Sequence, residues 1–263
     1  MPRKARIDAP GAIHHIMVRG IERRKIFLDN TDRNSFVDRL GTLLKETQTP
    51  CFAWALLPNH VHLLLRTGQT SLSTVMRRLL TSHAVRFNRR HRRHGHLFQN
   101  RYKSILCQED PYLLELVRYI HLNPLRSELV ADYKQLGRFA YCGHSFLLAK
   151  RKNDWQGINY VLALFDNRIP RARRRYGEFV KKGIGQGKRS DLVGGGLIRS
   201  LGGWSVVKAI RGAGDRIKGD ERILGDGDFV ESVLKNSQER LERQYDYQAK
   251  GYDFSWLVQK WLS

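Results

Sequence analysis

The pattern of apolar and polar residues predicts three strands in the first part of the chain. Residues 12–19 (AIHHIMVR) are rich in β-branched side chains and lie between two glycines, which is typical of a strand. Residues 51–57 (CFAWALL) and 61–66 (VHLLLR) flank Pro58-Asn59, so they predict a pair of adjacent antiparallel strands.

Three other stretches carry apolar residues at the spacing of one helix face. Residues 31–46 open with capping residues, and residues 71–90 repeat the same period over a longer segment. A third helix is expected to begin at Asp110-Pro111, an N-cap residue followed by proline, and to run to Pro124. This order of elements predicts an α+β fold, an antiparallel sheet with helices on one face.

The second part of the chain differs from the first in its residue composition. Residues 168–189 (RIPRARRRYGEFVKKGIGQGKR) are basic and contain several glycines, which we interpret as a linker or arm. Residues 192–211 and 228–243 have apolar residues at helical spacing. We therefore predict a domain over residues 1–150, a basic linker over 151–190 and a smaller helical C-terminal extension over 191–263.

Charge narrows the class of partner. The 263 residues include 47 Lys and Arg against 25 Asp and Glu, a net charge of +22, while 41% hydrophobic residues remain to build a core. A folded protein with this surplus is expected to bind a polyanion, and nucleic acid is the first candidate. We find no apolar run long enough to span a membrane and no signal peptide, so we expect a cytoplasmic, nucleoid-associated protein without a membrane partner.

The positive charge is concentrated in one window. Residues 47–108 contain no carboxylate, so we expect an anion-binding surface there rather than a face of internal salt bridges. We predict that His91, His94 and His96, inside the arginine-rich stretch, contact phosphates or bases. The basic residues of the window are Arg66 and the predicted DNA-binding set of Arg77, Arg78, Arg86, Arg89, Arg90, Arg92, Arg93, Arg101 and Lys103.

Two histidines on the third predicted strand are candidates for metal ligands. Side chains of a strand alternate between its faces, so His60 and His62 project from the same face while Val61 turns to the other. Such a pair is geometrically half of a metal site, although histidines in this arrangement are more often structural.

The third predicted helix offers further polar groups beside its buried stripe. Tyr119 and Asn123 lie one turn apart on a flank of this helix. An amide oxygen there can complete a His-His-Asn set around Mg²⁺ or Mn²⁺ while the phenol faces the substrate. Taken alone, Tyr119 is better explained as a half-buried aromatic residue with a polar tip.

These motifs together closely resemble the IS200-like HUH transposases, and within them the REP-associated tyrosine transposases. The resemblance covers roughly residues 8–146, and two segments carry it. They are LLPNHVHLLL at 56–65 and GHLFQNRYKSILCQEDPYLLELVRYIHLNPLRSELV at 95–130.

The resemblance implies a ferredoxin-like fold and a specific chemistry. His60 and His62 match the metal-binding pair, Tyr119 the nucleophile and Asn123 the third ligand, where asparagine is usual in the REP-associated branch. The implied reaction is cleavage and rejoining of single-stranded or hairpin DNA through a covalent 5′-phosphotyrosine, with Mg²⁺ or Mn²⁺ as cofactor. Relatives work as monomers or homodimers. The region beyond residue 190 resembles the extension of longer relatives, and we expect it to be truncated here.

Two alternatives to this transposase hypothesis stay open at the level of sequence. One is a catalytically silent, domesticated DNA-binding module that uses only the basic groove. The other is a metal-dependent hydrolase that cleaves without a covalent step.

Overall fold

The computed structural model describes residues 11–187 and 222–236, together with Ile7, Arg189 and Leu192. The strands are β1 (Ile13–Arg19), β2 (Cys51–Leu57), β3 (His60–Arg66), β4 (Lys103–Cys107) and β5 (Ile223–Leu224). The helices are α1 (Asn30–Glu46), α2 (Leu72–Arg90), α3 (Glu109–Arg126), α4 (Tyr133–Leu136), α5 (His144–Leu147), α6 (Ile158–Ala163) and α7 (Ile169–Lys182). Short 3-10 segments cover Ile21–Arg23 and Ile184–Gln186, and residues 227–236 are also helical.

The five strands form one sheet in the order β2-β3-β1-β4-β5. The first four pair antiparallel, and β5 adds a short parallel edge beside β4. The first four strands with α1 and α2 have the ferredoxin-like arrangement, which confirms the predicted α+β class. β4 was not predicted, because it has only five residues and only its last three are buried.

Helices cover both faces of the sheet. The prediction that the helices lie on one face is confirmed for α1 and α2, whose apolar side chains pack with Val61, Leu63 and Leu65 of β3. It is wrong for α3, whose stripe packs on the opposite face with Leu64. The reason is visible in β2, where all seven residues are buried, as expected of a strand covered on both sides.

The predicted limits of α3 also need correction. The helix begins at Glu109 with Gln108 as its N-cap, and it continues through Pro124 to Arg126. Proline lacks an N–H, so its position cannot donate to the carbonyl one turn earlier. The last turn is held instead by the N–H of Ser127, which donates to the carbonyl of Asn123 at 2.9 Å.

Much of the segment predicted as a linker is helical. α7 buries Ala172, Tyr176 and Val180, which are spaced four apart, in the core beneath α3. Its exposed face is so basic that this narrow apolar stripe escaped notice in the sequence. The described part of the predicted helix 228–243 is helical, and the predicted helix 192–211 lies outside the described residues except for Leu192.

The three cysteines, Cys51, Cys107 and Cys142, are buried free thiols. Within the described residues, no helix combines the length and apolar character that crossing a membrane requires.

Candidate active site

The pairing of β1 with β3 gathers three imidazoles on the face covered by α3. Arg19 lies opposite His60 and Met17 opposite His62, so His15 belongs to the same face two residues further along β1. The ring centroids of His60 and His62 are 5.1 Å apart, and those of His15 and His62 are 5.2 Å apart.

α3 places its phenol against these rings. The Tyr119 ring lies edge-on to His62 and to His15, with both centroid distances at 5.9 Å. Tyr119 is half-buried, and Asn123 follows it one turn later on the same flank of α3. The structure therefore brings the predicted His60, His62 and Tyr119 together, with Asn123 on the adjoining turn.

Hydrogen bonds fix the orientation of both candidate ligands. The amide oxygen of Asn59 lies 2.7 Å from Nδ1 of His60; it can only accept, so this imidazole carries its proton on Nδ1 and its lone pair on Nε2. Nδ1 of His62 lies 2.9 Å from Nε2 of His15. When His62 is the donor in this pair, its Nε2 is likewise free to bind a metal, the usual outer-shell arrangement.

Burial keeps these histidines neutral at pH 7. It lowers the pKa of His60 to about 4, and the charge of Arg19 acts in the same direction. It lowers the pKa of His62 well below the usual value. Burial is also the main cause that lowers the pKa of His15 to about 4, with a smaller contribution from Lys103 and an opposing one from the backbone of Leu192. Neutral imidazole is the form that binds metal.

The donor set fits a divalent cation that accepts nitrogen and oxygen ligands. Among the described residues, no three His, Cys, Asp or Glu side chains converge on one position, so an amide is needed beside His60 and His62. Asn123, one turn from Tyr119, is the candidate for this amide, since its oxygen is a suitable metal ligand. Its amide nitrogen is buried without a hydrogen-bond partner, and this donor calls for an acceptor, such as an oxygen of a substrate, rather than for a cation.

Sequence reasoning missed three residues that surround this site. They are His15, whose ring holds His62, Arg19, whose charge acts on both candidate ligands, and Arg126, whose guanidinium lies over Tyr119. The spacing of these residues in the sequence could have identified them. His15 and Arg19 are four residues apart on one strand and therefore share a face, and Arg126 follows Tyr119 by seven residues, or two turns, on one helix.

The predicted DNA-binding residues of α2 lie across the sheet from Tyr119. Arg77, Arg86 and Arg89 are exposed there. Arg78 forms an ion pair with Glu46 at 2.6 Å, and Arg90 forms pairs with Asp29 and Asp32 at 2.6 Å. Arg66 pairs with Glu109. The expectation of a surface without salt bridges is wrong for these residues, because other elements supply the carboxylates that the window lacks.

The loop that follows α2 lies nearer the candidate ligands His60 and His62 than α2 itself does. Phe98 bridges to Gly20, and Ile21 donates to the carbonyl of Leu97 at 3.0 Å, which places this loop at the end of the sheet that bears His60. The predicted residues Arg92, Arg93 and Arg101 belong to the loop, and Lys103 opens β4 beside it. Its exposed histidines are His94 and His96, whereas His91 contacts the Asp32 carboxylate at 2.9 Å rather than being free for phosphate.

Comparison with known proteins gives a family and two structural neighbours. Residues 10–123 match the family model described as IS200-like transposase. A search of curated proteins finds no match. A solved REP-associated tyrosine transposase bound to a REP hairpin is 20% identical at a TM-score of 0.48, covering 60% of this chain and 92% of that chain. A proposed transposase from Deinococcus radiodurans R1 is 19% identical at a TM-score of 0.33, covering 45% of this chain and 95% of that chain. Residues 10–123 are therefore similar to the IS200-like transposases.

Proposed function

We propose that the protein is a metal-dependent, single-strand DNA transposase of the REP-associated type, which cleaves and rejoins hairpin-associated DNA through a phosphotyrosine. The observation that carries this proposal is the Tyr119 ring, 5.9 Å from His62 and facing a strand that presents two neutral imidazoles. The family match over residues 10–123 supports DNA processing, and the geometry supports the single-tyrosine chemistry.

The phenol is the nucleophile of the proposed reaction. The oxygen of Tyr119 forms a bond to phosphorus, and the bond from phosphorus to the 3′ oxygen breaks. The phenol proton is lost, and the departing oxygen takes up a proton to become a 3′-OH. Attack by a 3′-OH on the phosphotyrosine reverses these bonds and rejoins the strand. The covalent link conserves the bond energy, so no nucleotide cofactor is required.

A divalent cation is the proposed cofactor, with His60, His62 and Asn123 holding it. When bound, Mg²⁺ or Mn²⁺ would polarise the phosphodiester as a Lewis acid and so make a phenol, a weak nucleophile while protonated, able to attack phosphorus. Asn59 and His15 orient the two imidazoles through their 2.7 Å and 2.9 Å hydrogen bonds.

Single-stranded or hairpin DNA is the proposed substrate. Tyr119 is half-buried between α3 and the sheet, so a scissile phosphate must enter a confined space, which an unpaired strand does more easily than a duplex. The loop arginines Arg92, Arg93 and Arg101 can follow the backbone beside this entrance. One chain supplies both imidazoles and the phenol, which favours a site within a monomer over one shared in a homodimer. Such a substrate places the protein at the nucleoid in the cytoplasm.

The experiment that tests this function looks for the covalent adduct. The full chain is incubated with a panel of hairpin-containing single-stranded oligonucleotides and Mn²⁺, and a protein–DNA adduct that survives denaturation is expected. Tyr119→Phe should abolish it. Tyr112→Phe, on the same helix two turns earlier, is the matched control and should retain it.

The two alternatives give different results in the same assay. Binding across the panel with no adduct indicates a silent DNA-binding module. Cleavage that persists in Tyr119→Phe but is lost in His60→Ala indicates a hydrolase without a covalent step.

A further inference from the structure

Arg126 lies on the same face of α3 as the candidate nucleophile. Tyr119, Asn123 and Arg126 are spaced by four and then three residues, which aligns them along the helix. The guanidinium carbon of Arg126 is 5.6 Å from the centre of the Tyr119 ring, and the side chain is half-buried.

Most of the hydrogen-bonding capacity of this guanidinium is unused. One terminal nitrogen, Nη2, donates to the carbonyl of Gly183 at 3.2 Å. Nε and Nη1 are buried without a hydrogen-bond partner. Within the part of the chain that the structure describes, Arg126 has no ion pair with a carboxylate, unlike its neighbours. An arginine that is partly removed from water in this way calls for an anion with at least two oxygens.

The surrounding charges reinforce this requirement. Arg118 and Arg189 both pair with Glu115, at 2.5 Å and 3.0 Å. Two guanidiniums therefore share one carboxylate, and Arg126 pairs with none within the described residues, so positive charge is in excess around Arg126. Burial lowers the pKa of Arg126, Tyr119 acts in the opposite direction, and repulsion from Arg189 and Arg118 lowers the pKa further. A bound anion would relieve both effects.

A purely structural role accounts for only part of this arrangement. The bond to Gly183 ties the end of α3 to the end of α7, but it uses only one of the two N–H groups of Nη2 and leaves Nε and Nη1 without partners. The second N–H of Nη2 runs parallel to an N–H of either Nε or Nη1, and such a parallel pair has the geometry that recognises two oxygens of one phosphate.

We propose that Arg126 is a catalytic residue that binds the nonbridging oxygens of the scissile phosphodiester and, after cleavage, of the phosphate on Tyr119. This inference rests on the proposed function and extends it to a residue outside the family match, which ends at residue 123. Arg126 neutralises charge on the phosphoryl oxygens as the phenol attacks, and it keeps the phosphotyrosine in place for the returning 3′-OH.

The test removes the positive charge of Arg126 from the protein and, separately, the negative charge of the scissile phosphate from the substrate. Once the wild-type adduct has located the scissile linkage, two oligonucleotides are compared, one natural and one with a neutral methylphosphonate at that linkage. Arg126→Gln should slow adduct formation on the natural oligonucleotide by about 100-fold relative to wild type. On the methylphosphonate the same comparison should give a defect at least tenfold smaller, because there is no anionic oxygen pair to bind.

Controls separate this role from a folding defect. Arg138→Gln, an exposed arginine on the loop after α4, should behave like wild type with both oligonucleotides. Arg126→Lys keeps the positive charge and replaces Arg126→Gln in the test if that variant does not fold. We expect Arg126→Lys to slow adduct formation less than Arg126→Gln does, and this defect should also be smaller on the methylphosphonate than on the natural oligonucleotide. Equal defects on the two substrates would overturn the proposal.

A second measurement keeps the inference separate from the proposed function. If wild type forms no adduct, the transposase proposal fails, and the affinity for a single-stranded oligonucleotide is measured against salt. Phosphate binding by Arg126 predicts that Arg126→Gln lowers the slope of log K against log salt by about 0.7, with no change in Arg138→Gln. An unchanged slope in Arg126→Gln would contradict phosphate binding.

Discussion

The contact between His15 and His62 shows how a single residue can control the site without touching substrate. The two rings share one hydrogen bond at 2.9 Å, and both are buried on the face of the sheet that α3 covers. The direction of that bond decides whether Nε2 of His62 offers a lone pair. In the proposed metal site, His15 therefore positions a ligand rather than acting as one.

Replacing His15 should weaken metal binding while leaving the nucleophile intact. In His15→Leu, the Mn²⁺ concentration for half-maximal adduct formation should rise about 10- to 100-fold, because His62 loses its orienting partner. His14→Leu is the matched control, since it changes the next residue of β1, equally buried but on the opposite face. An equal rise in both variants would show a general effect of disturbing β1.

Most residues of the candidate site could be predicted from the sequence, and there are physical reasons why the others could not. His60, His62, Tyr119 and Asn123 follow from strand and helix periodicity together with the family motifs, and the structure places the first three together. His15 escaped because strand pairing, which sequence does not specify, brings it beside His62. Arg126 escaped because the proline at position 124 suggested that the helix had ended.

At the scale of elements, a buried polar network joins the tyrosine helix to α5 and α7. The hydroxyl of Tyr176 lies 2.8 Å from Nδ1 of His121 and 2.6 Å from Nδ1 of His144. His121 lies between Tyr119 and Asn123 on α3. Because His121 contacts Tyr176 of α7, α7 helps to fix the position of α3 and of the proposed nucleophile. Periodicity predicted α3, but the network depends on α7, whose narrow apolar stripe was masked by arginines.

This network should make stability depend on pH. Burial lowers the pKa of His144 to about 4, and its neighbours His121, Tyr133, Cys142 and Tyr176 are uncharged at neutral pH. The unfolded chain therefore binds an extra proton between about pH 6.5 and 4, and the unfolding free energy falls by about 1.4 kcal/mol per pH unit for this histidine as the pH drops through that window.

The pH effect is measured by urea unfolding at several pH values between 7 and 4. His144→Gln should reduce the slope of unfolding free energy against pH by about one proton relative to wild type. The exposed His94→Gln provides the control and should keep the wild-type slope. A slope that does not change in His144→Gln would show that this histidine is already protonated in the native protein.

At the scale of the whole molecule, the arginines of the described residues lie on both sides of the sheet. α2 presents arginines away from Tyr119, and two of its arginines are engaged by carboxylates of α1 or its N-cap. The loop after α2 and the arginines around α3 lie on the side of the candidate site. Net charge alone predicted a polyanionic partner, but only the fold separates the arginines near the site from those behind it.

Two variants with equal charge loss should therefore differ in DNA binding. Arg92→Gln/Arg93→Gln/Arg101→Gln should lower the salt slope by about 2, as expected for three phosphate contacts on a single strand. Arg77→Gln/Arg86→Gln/Arg89→Gln removes the same charge from exposed positions across the sheet and should lower it less. If the α2 variant has the larger effect, the DNA runs along the opposite face.

The most direct measurement of the central claim is mass spectrometry of the adduct after nuclease and trypsin digestion. Cleavage after Arg118 and Arg126 releases YIHLNPLR, whose only tyrosine is Tyr119. The account predicts nucleotide-derived phosphate on this peptide in wild type and its absence in Tyr119→Phe. An adduct on the preceding peptide, which contains Tyr112, or on any other residue would contradict the assignment of Tyr119 as the nucleophile.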